Sequence, residues 1–94
     1  MVYVLTSHTV EDYAKWKPIF DKHGDFRKAS GSKGGRVFRS VDNPNRLTVL
    51  LEWDSADRAL EFAKSPQLRE AMKSAGVIGQ PESSMLEEVE SFSK

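Results

Sequence analysis

The chain has no cysteine. That absence excludes a disulfide framework, a thiolate zinc centre and a cysteine nucleophile. Net charge is also missing: Lys and Arg number 14, and so do Asp and Glu. A chain without a basic surplus is poorly equipped to neutralise phosphates, so nucleic acid is not an expected partner. No apolar run is long enough for a signal peptide or a membrane span, which makes a soluble, cytoplasmic protein the expectation, with no membrane partner. Internal repeats and low-complexity segments are lacking. Histidine is scarce, with only His8 and His23. Their spacing, with no adjacent carboxylate motif, does not suit a metal site, so neither metal nor cofactor is expected.

What is present is a strong strand signature. In Arg46–Trp53, Leu47, Val49, Leu51 and Trp53 recur at period two, the mark of a β-strand with one apolar face. The opposite face, Thr48, Leu50 and Glu52, is partly apolar as well, whereas a face turned to water would be polar throughout. A chain of 94 residues fits one domain, residues 1–94, and has few helices to spare. The second cover for this strand is therefore expected to be another copy of the chain, a homodimer formed through sheet faces. Such pairing adds apolar burial at roughly 25 cal/mol per Å².

Around that strand the elements follow in order. Val2–His8 is rich in β-formers and predicts the first strand. Thr9 can cap a helix from about Val10 to Ser30, with Glu11 and Asp12 in its first turn. Tyr13, Trp16 and Phe20 keep helical spacing. Pro18 lies inside the pattern and predicts a kink or two shorter helices, with Gly24 a second weak point. Gly31 suits the residue after the helix, and Ser32–Gly35 reads as a connector. Arg36–Val41 predicts the second strand, joined through the turn Asp42-Asn43-Pro44-Asn45 to the central one. Asp54 or Ser55 caps the next helix, Ala56–Lys64, and Ser65-Pro66 starts another that ends at Gly76. Val77–Ser84 reads as a loop, Met85–Glu90 as a last strand and Ser91–Lys94 as a tail.

This is βαββαβ with the second helix broken at Pro66: an α+β, ferredoxin-like chain, one antiparallel four-stranded sheet with its helices on one face. Right-handed crossovers place the first and third strands centrally, and the glutamate-rich fourth suits an edge.

Three stretches carry a family likeness: Asp12-Tyr13-Ala14-Lys15-Trp16-Lys17-Pro18-Ile19-Phe20-Asp21, Leu51-Glu52-Trp53-Asp54, and Phe62-Ala63-Lys64-Ser65-Pro66-Gln67-Leu68-Arg69-Glu70-Ala71-Met72. In these the chain resembles the dimeric α+β-barrel superfamily, which includes antibiotic-biosynthesis monooxygenases, haem-degrading monooxygenases and muconolactone isomerases. The resemblance implies a dimer whose two sheets pack face to face, the dimeric α+β barrel. It fixes a fold better than an activity. The haem-degrading branch uses an asparagine on the first strand, a tryptophan on the third and a histidine on the following helix. Trp53 sits where that tryptophan would, but the first strand has no asparagine and residues 55–76 no histidine. Haem degradation is thereby excluded.

The candidate chemistry is sparse. His8 ends the first strand and His23 borders the inner helix face; either could act as a general base if it faces the cleft between helix and sheet. Tyr13, Trp16, Phe20 and Trp53 could line an apolar pocket for a flat ligand, or simply fill the core. Arg36, and with it Arg39, could hold a ligand carboxylate. Ser30–Gly35, despite its glycines and Lys33, lacks the spacing of a phosphate loop. The function expected is binding of a small apolar or aromatic metabolite between first helix and sheet. Its alternatives are a cofactor-independent monooxygenase, cyclase or isomerase with a histidine base, and a non-catalytic dimer with a filled core.

Overall fold

A computed structural model describes residues 2–94. Strands β1 (Val2–Val10), β2 (Ser32–Arg39), β3 (Arg46–Trp53) and β4 (Val77–Glu87) form one sheet in the order β2-β3-β1-β4. Every pairing is antiparallel. The two apolar strands are central and β4 is an edge, as the sequence indicates. Helices α1 (Tyr13–Lys22), α2 (Gly24–Ser30), α3 (Ala56–Ala63) and α4 (Pro66–Ser74) complete the ferredoxin-like arrangement. α4 begins with Pro66 at its first turn, and the Ser65 hydroxyl accepts from the Leu68 N–H. The break between α3 and α4 therefore falls where proline chemistry puts it.

Strand alternation sorts the side chains between two faces. On β1, Val4, Thr6 and His8 stand opposite Leu51, Val49 and Leu47 of β3. These share a face with Trp53, and it is the face that the helices cover. Tyr3, Leu5, Ser7 and Thr9 point the other way, opposite Glu52, Leu50, Thr48 and Arg46. Among the described residues no helix lies over that second face, where Phe38, Ile78 and Leu86 are exposed.

The core under the helices is divided. One cluster gathers Val10, Trp16, Leu47, Val49 and Ala75; the other gathers Trp53, Ala59 and Phe62. Leu51 packs against both. The clusters sit toward opposite ends of β3: at the usual rise, Trp53 of one lies about 13 Å along the strand from Val49 and about 20 Å from Leu47 of the other.

Four boundaries depart from the sequence reading. β1 runs to Val10, and the helix cap is Asp12 rather than Thr9: the Asp12 side chain accepts from the Ala14 N–H at 3.0 Å. Pairing of Val10 with Val77 and burial of its side chain outweigh the local capping signal at Thr9. Pro18 stays inside α1; the helix does divide in two, but at His23–Gly24, the second weak point of the sequence, and not at the proline. Ser32–Gly35, expected as a connector, is the start of β2, with a bulge between Ser32 and Gly34. Val77–Ser84, expected as a loop, belongs to β4, again with an irregularity: Gly79, Gln80 and Pro81 stand where β1 has only His8. Both stretches hold glycine because the bulges need it; Gly34 and Gly79 have φ of 121° and 71°, a region that costs other residues dearly.

Candidate functional site

The gap between the two core clusters is a cavity of about 330 Å³, within the range of small-molecule sites. Its floor is the helix-facing row of the sheet, Val4, Thr6, His8, Val49, Leu51 and Trp53. The α1 and α2 side supplies Trp16, Phe20, His23 and Arg27, while α3 and α4 supply Phe62, Arg69 and Met72. Gln80, Pro81 and Ser83 close it at the β4 irregularity. Opposite His8 the register of β4 slips, and Gln80 and Ser83 give the cavity a polar margin on that side. There Thr6 Oγ1 and Ser83 Oγ lie 3.0 Å apart in a hydroxyl–hydroxyl hydrogen bond.

Three buried nitrogens on this lining have no hydrogen-bond partner among the described residues: Nδ1 and Nε2 of His8 and Nε1 of Trp53. His8 is 4% exposed and Trp53 is 0% exposed. Buried donors and acceptors are normally satisfied, because leaving one unpaired costs about 1–3 kcal/mol. Here they belong to the two sheet residues that bound the cavity's length. Burial pushes the His8 imidazole below its ordinary range, and the Arg46 guanidinium adds to the effect. A neutral imidazole, able to accept a proton, is the form favoured at neutral pH.

The aromatic wall is continuous. Trp16 stacks on Phe20 with ring centres 4.7 Å apart, and His8 lies 5.9 Å from Trp16. At the far end Trp53 meets Phe62 at 4.9 Å. The Arg27 guanidinium sits 3.7 Å above the Phe20 ring and donates to the Phe20 carbonyl at 2.8 Å. The interruption after Lys22 helps here, since it places that carbonyl beside a new helix carrying Arg27.

Of the expected site residues, the structure brings together His8, His23, Trp16, Phe20 and Trp53. Two stand elsewhere. Tyr13 does not line the cavity: it opens α1 beside Trp16, at 6.0 Å, and carries Arg39 over its ring at 4.8 Å. Arg36 pairs with Leu50 and so faces the helix-free side of the sheet. There it opposes the upward push on the Tyr3 phenol, which comes first from desolvation and then from Glu88 and Glu52. Thr6, Arg27, Arg69, Gln80 and Ser83 were not anticipated. Thr6 was within reach, since it shares His8's parity on β1. Ser83 was hidden by reading its strand as a loop.

Among the described residues, no group of three or more His, Asp or Glu converges as metal ligands would, and no helix is long and apolar enough to cross a membrane.

This architecture is the fold seen in antibiotic-biosynthesis-monooxygenase-like structures. Among solved structures, the chain is similar to SnoaB, a cofactor-independent oxygenase from Streptomyces nogalater, with a TM-score of 0.79 and 15% identity over 99% of this chain and 97% of that one. It is similar to a protein from Bordetella bronchiseptica whose assignment as an antibiotic biosynthesis monooxygenase is provisional: TM-score 0.79, 19% identity, covering 94% and 96% of the two chains. A protein of the same provisional assignment from Caulobacter crescentus gives 0.75 and 20% identity over 95% and 90%. At such identities the likeness establishes the fold alone. No protein-family model matches the chain, and no curated protein matches it significantly.

Proposed function

We propose that this chain binds a flat, largely apolar small molecule between its helices and sheet, and does so as a homodimer paired through the helix-free sheet face. The observation that carries the binding reading is the set of unpartnered buried nitrogens on His8 and Trp53, at the two ends of one elongated cavity. A ligand with an aromatic body and a polar atom toward each end would satisfy them once each ring turns its sealed nitrogen toward the cavity. Trp53 Nε1 can only donate, so that end wants a carbonyl or ether oxygen. Neutral His8 can donate or accept, so a phenol or a ketone serves there. The dimer rests on the second sheet face, where Leu5, Leu50, Phe38, Ile78 and Leu86 supply apolar surface with no covering element among the described residues. Exposed apolar areas of that kind mark interaction surfaces.

Fluorescence titration and thermal denaturation with planar aromatic ketones, quinones and phenols test the binding. A ligand at a hundred times its Kd should stabilise the fold by about 2.7 kcal/mol, and should perturb the emission of Trp16 and Trp53. Absence of any melting shift at millimolar concentrations across such a panel would rule out the reading and favour a filled-core structural dimer.

A catalytic version has a specific observation in its favour, the neutral unpartnered His8 beside the cavity's polar margin. In that version His8 takes a proton from the bound phenol or from a carbon next to its carbonyl, and the aromatic walls keep water away. His23 shares the cavity but stands at the α1–α2 junction, more exposed than His8. His8→Ala should then lower turnover at least about a hundredfold, with the rate following a single ionisation below the ordinary histidine range. Unchanged turnover in that variant would leave binding without this base.

A further inference from the structure

A second cleft, of about 560 Å³, opens between α2, the beginning of β2 and the first turn of α3. It is separated from the aromatic cavity by Phe20, Arg27 and Leu51, which border both. Its ionisable lining is lopsided for a chain of zero net charge. Arg27, Lys28, Lys33 and Arg58 face one carboxylate, Asp54. Arg36 borders the same space, but its register puts its side chain on the far face of the sheet.

Two of these cations are fixed in place from different elements. Arg58 donates to Asp54 Oδ2 and to the Ala29 carbonyl, each at 2.8 Å. Arg27 donates one N–H to the Phe20 carbonyl and sits over that ring. Each guanidinium has five N–H donors, so both keep donors to spare. Lys28 and Lys33 are exposed and make no ion pair among the described residues.

The backbone keeps the space open. A Cβ at Gly31 would come within 2.9 Å of both Arg58 Nε and Asp54 Oδ1, so glycine is what lets that ion pair seat against the α2–β2 turn. At Gly34 the added Cβ would meet nothing within 4 Å, because the β2 bulge faces the open cleft. The Ser30–Gly35 segment has no phosphate-loop spacing and leads into a strand, not a helix. Recognition here would come from side-chain cations held around a hollow.

We propose that this cleft is a binding site for a compact oxyanion, the phosphate or carboxylate group of a small molecule. The site is independent of the aromatic cavity and needs no ligand there. Isothermal titration with pyrophosphate and with citrate, at constant ionic strength set with chloride, tests it. Saturable binding of one anion per chain is expected; pyrophosphate alone would mark a phosphate site, citrate alone a carboxylate site, and both a general oxyanion site. The Lys28→Ala/Lys33→Ala double variant, altered only at exposed side chains, should weaken binding at least about tenfold. Asp54→Asn should tighten it, because it removes the competing carboxylate and releases Arg58. The Lys64→Ala/Lys73→Ala double variant, an equal charge change at exposed positions that do not line the cleft, should leave it unaltered. Failure of both anions to saturate the wild-type chain would overturn the proposal. So would equal weakening by Lys64→Ala/Lys73→Ala, or weaker binding in an Asp54→Asn variant with a wild-type melting profile.

Discussion

Acidification should expose His8 as a cost built into the fold. Its ring is shut between β3, the Trp16 ring and the aromatic cavity, and neither nitrogen has a protein partner. The charged groups nearby are all cationic: Arg46 acts on it directly, and Arg27 and Arg69 share the cavity. Nothing there rewards a proton on His8. Its folded-state pKa lies below the ordinary value of 6.5, through desolvation first and Arg46 second. In the unfolded chain the ring is solvated and titrates normally. As pH falls below 6.5, the unfolded state therefore binds the proton more readily, and folding stability drops. Above 6.5 the contribution is fully present. Below it, the loss proceeds at up to about 1.4 kcal/mol per pH unit until the folded-state pKa is reached.

Urea denaturation at intervals between pH 7.5 and pH 5, on the wild type and on His8→Phe, isolates this contribution. Phe fills much the same volume and cannot titrate, while His23 and the surface carboxylates are common to both proteins. Stability of the variant should fall less steeply over the interval, and the difference between the two proteins should grow as pH decreases. Parallel curves would refute the reasoning, since they would mean that His8 is as easily protonated in the folded protein as in water. A ligand that accepts a hydrogen bond from His8 should flatten the wild-type slope.

The remaining predictions concern the cavity's other end, the β2–β3 contact and the free sheet face. Trp53→Phe removes a buried N–H without a partner and should change stability by less than about 1 kcal/mol, while weakening any ligand that uses it; Trp53→Ala should cost about 3–5 kcal/mol, read by denaturant titration. A Cβ at Gly35 would lie 2.0 Å from the Leu50 carbonyl oxygen, so Gly35→Ala should cost more than about 2 kcal/mol or prevent folding. Gly34→Ala meets no atom within 4 Å and should cost only its backbone strain, about 1–3 kcal/mol. Leu50→Lys places a charge in the middle of the helix-free face and should convert the proposed dimer to a monomer in sedimentation equilibrium. A monomeric wild type at micromolar concentration would refute the face-to-face pairing.

Why some of this was legible in the sequence and some was not follows from where each residue gets its instructions. The β3 alternation survives intact because Leu47, Val49 and Trp53 are all buried by long-range packing that agrees with their local strand preference. The β-α-β-β-α-β order and the Ser65-Pro66 restart were legible for the same reason: local chemistry and tertiary fold want the same thing. Where the two disagree, the sheet wins. Val10 at the end of β1, Ser32–Gly35 in β2 and Val77–Ser84 in β4 hold turn or cap signals locally, yet their backbone groups are satisfied by a neighbouring strand. The candidate site falls along that line of conflict. Gly79-Gln80-Pro81 resists strand geometry, so β4 bulges opposite His8, and this irregularity gives a core histidine its polar border. Arg36 shows the opposite limit: its residue type suggested anion binding, but parity on β2 sends it to the face away from the aromatic rings. Residue type proposes a chemistry, and strand register decides which cavity can use it. His8 and Trp53 have the right parity, which is why the apolar reading of the cavity needs no arginine from β2.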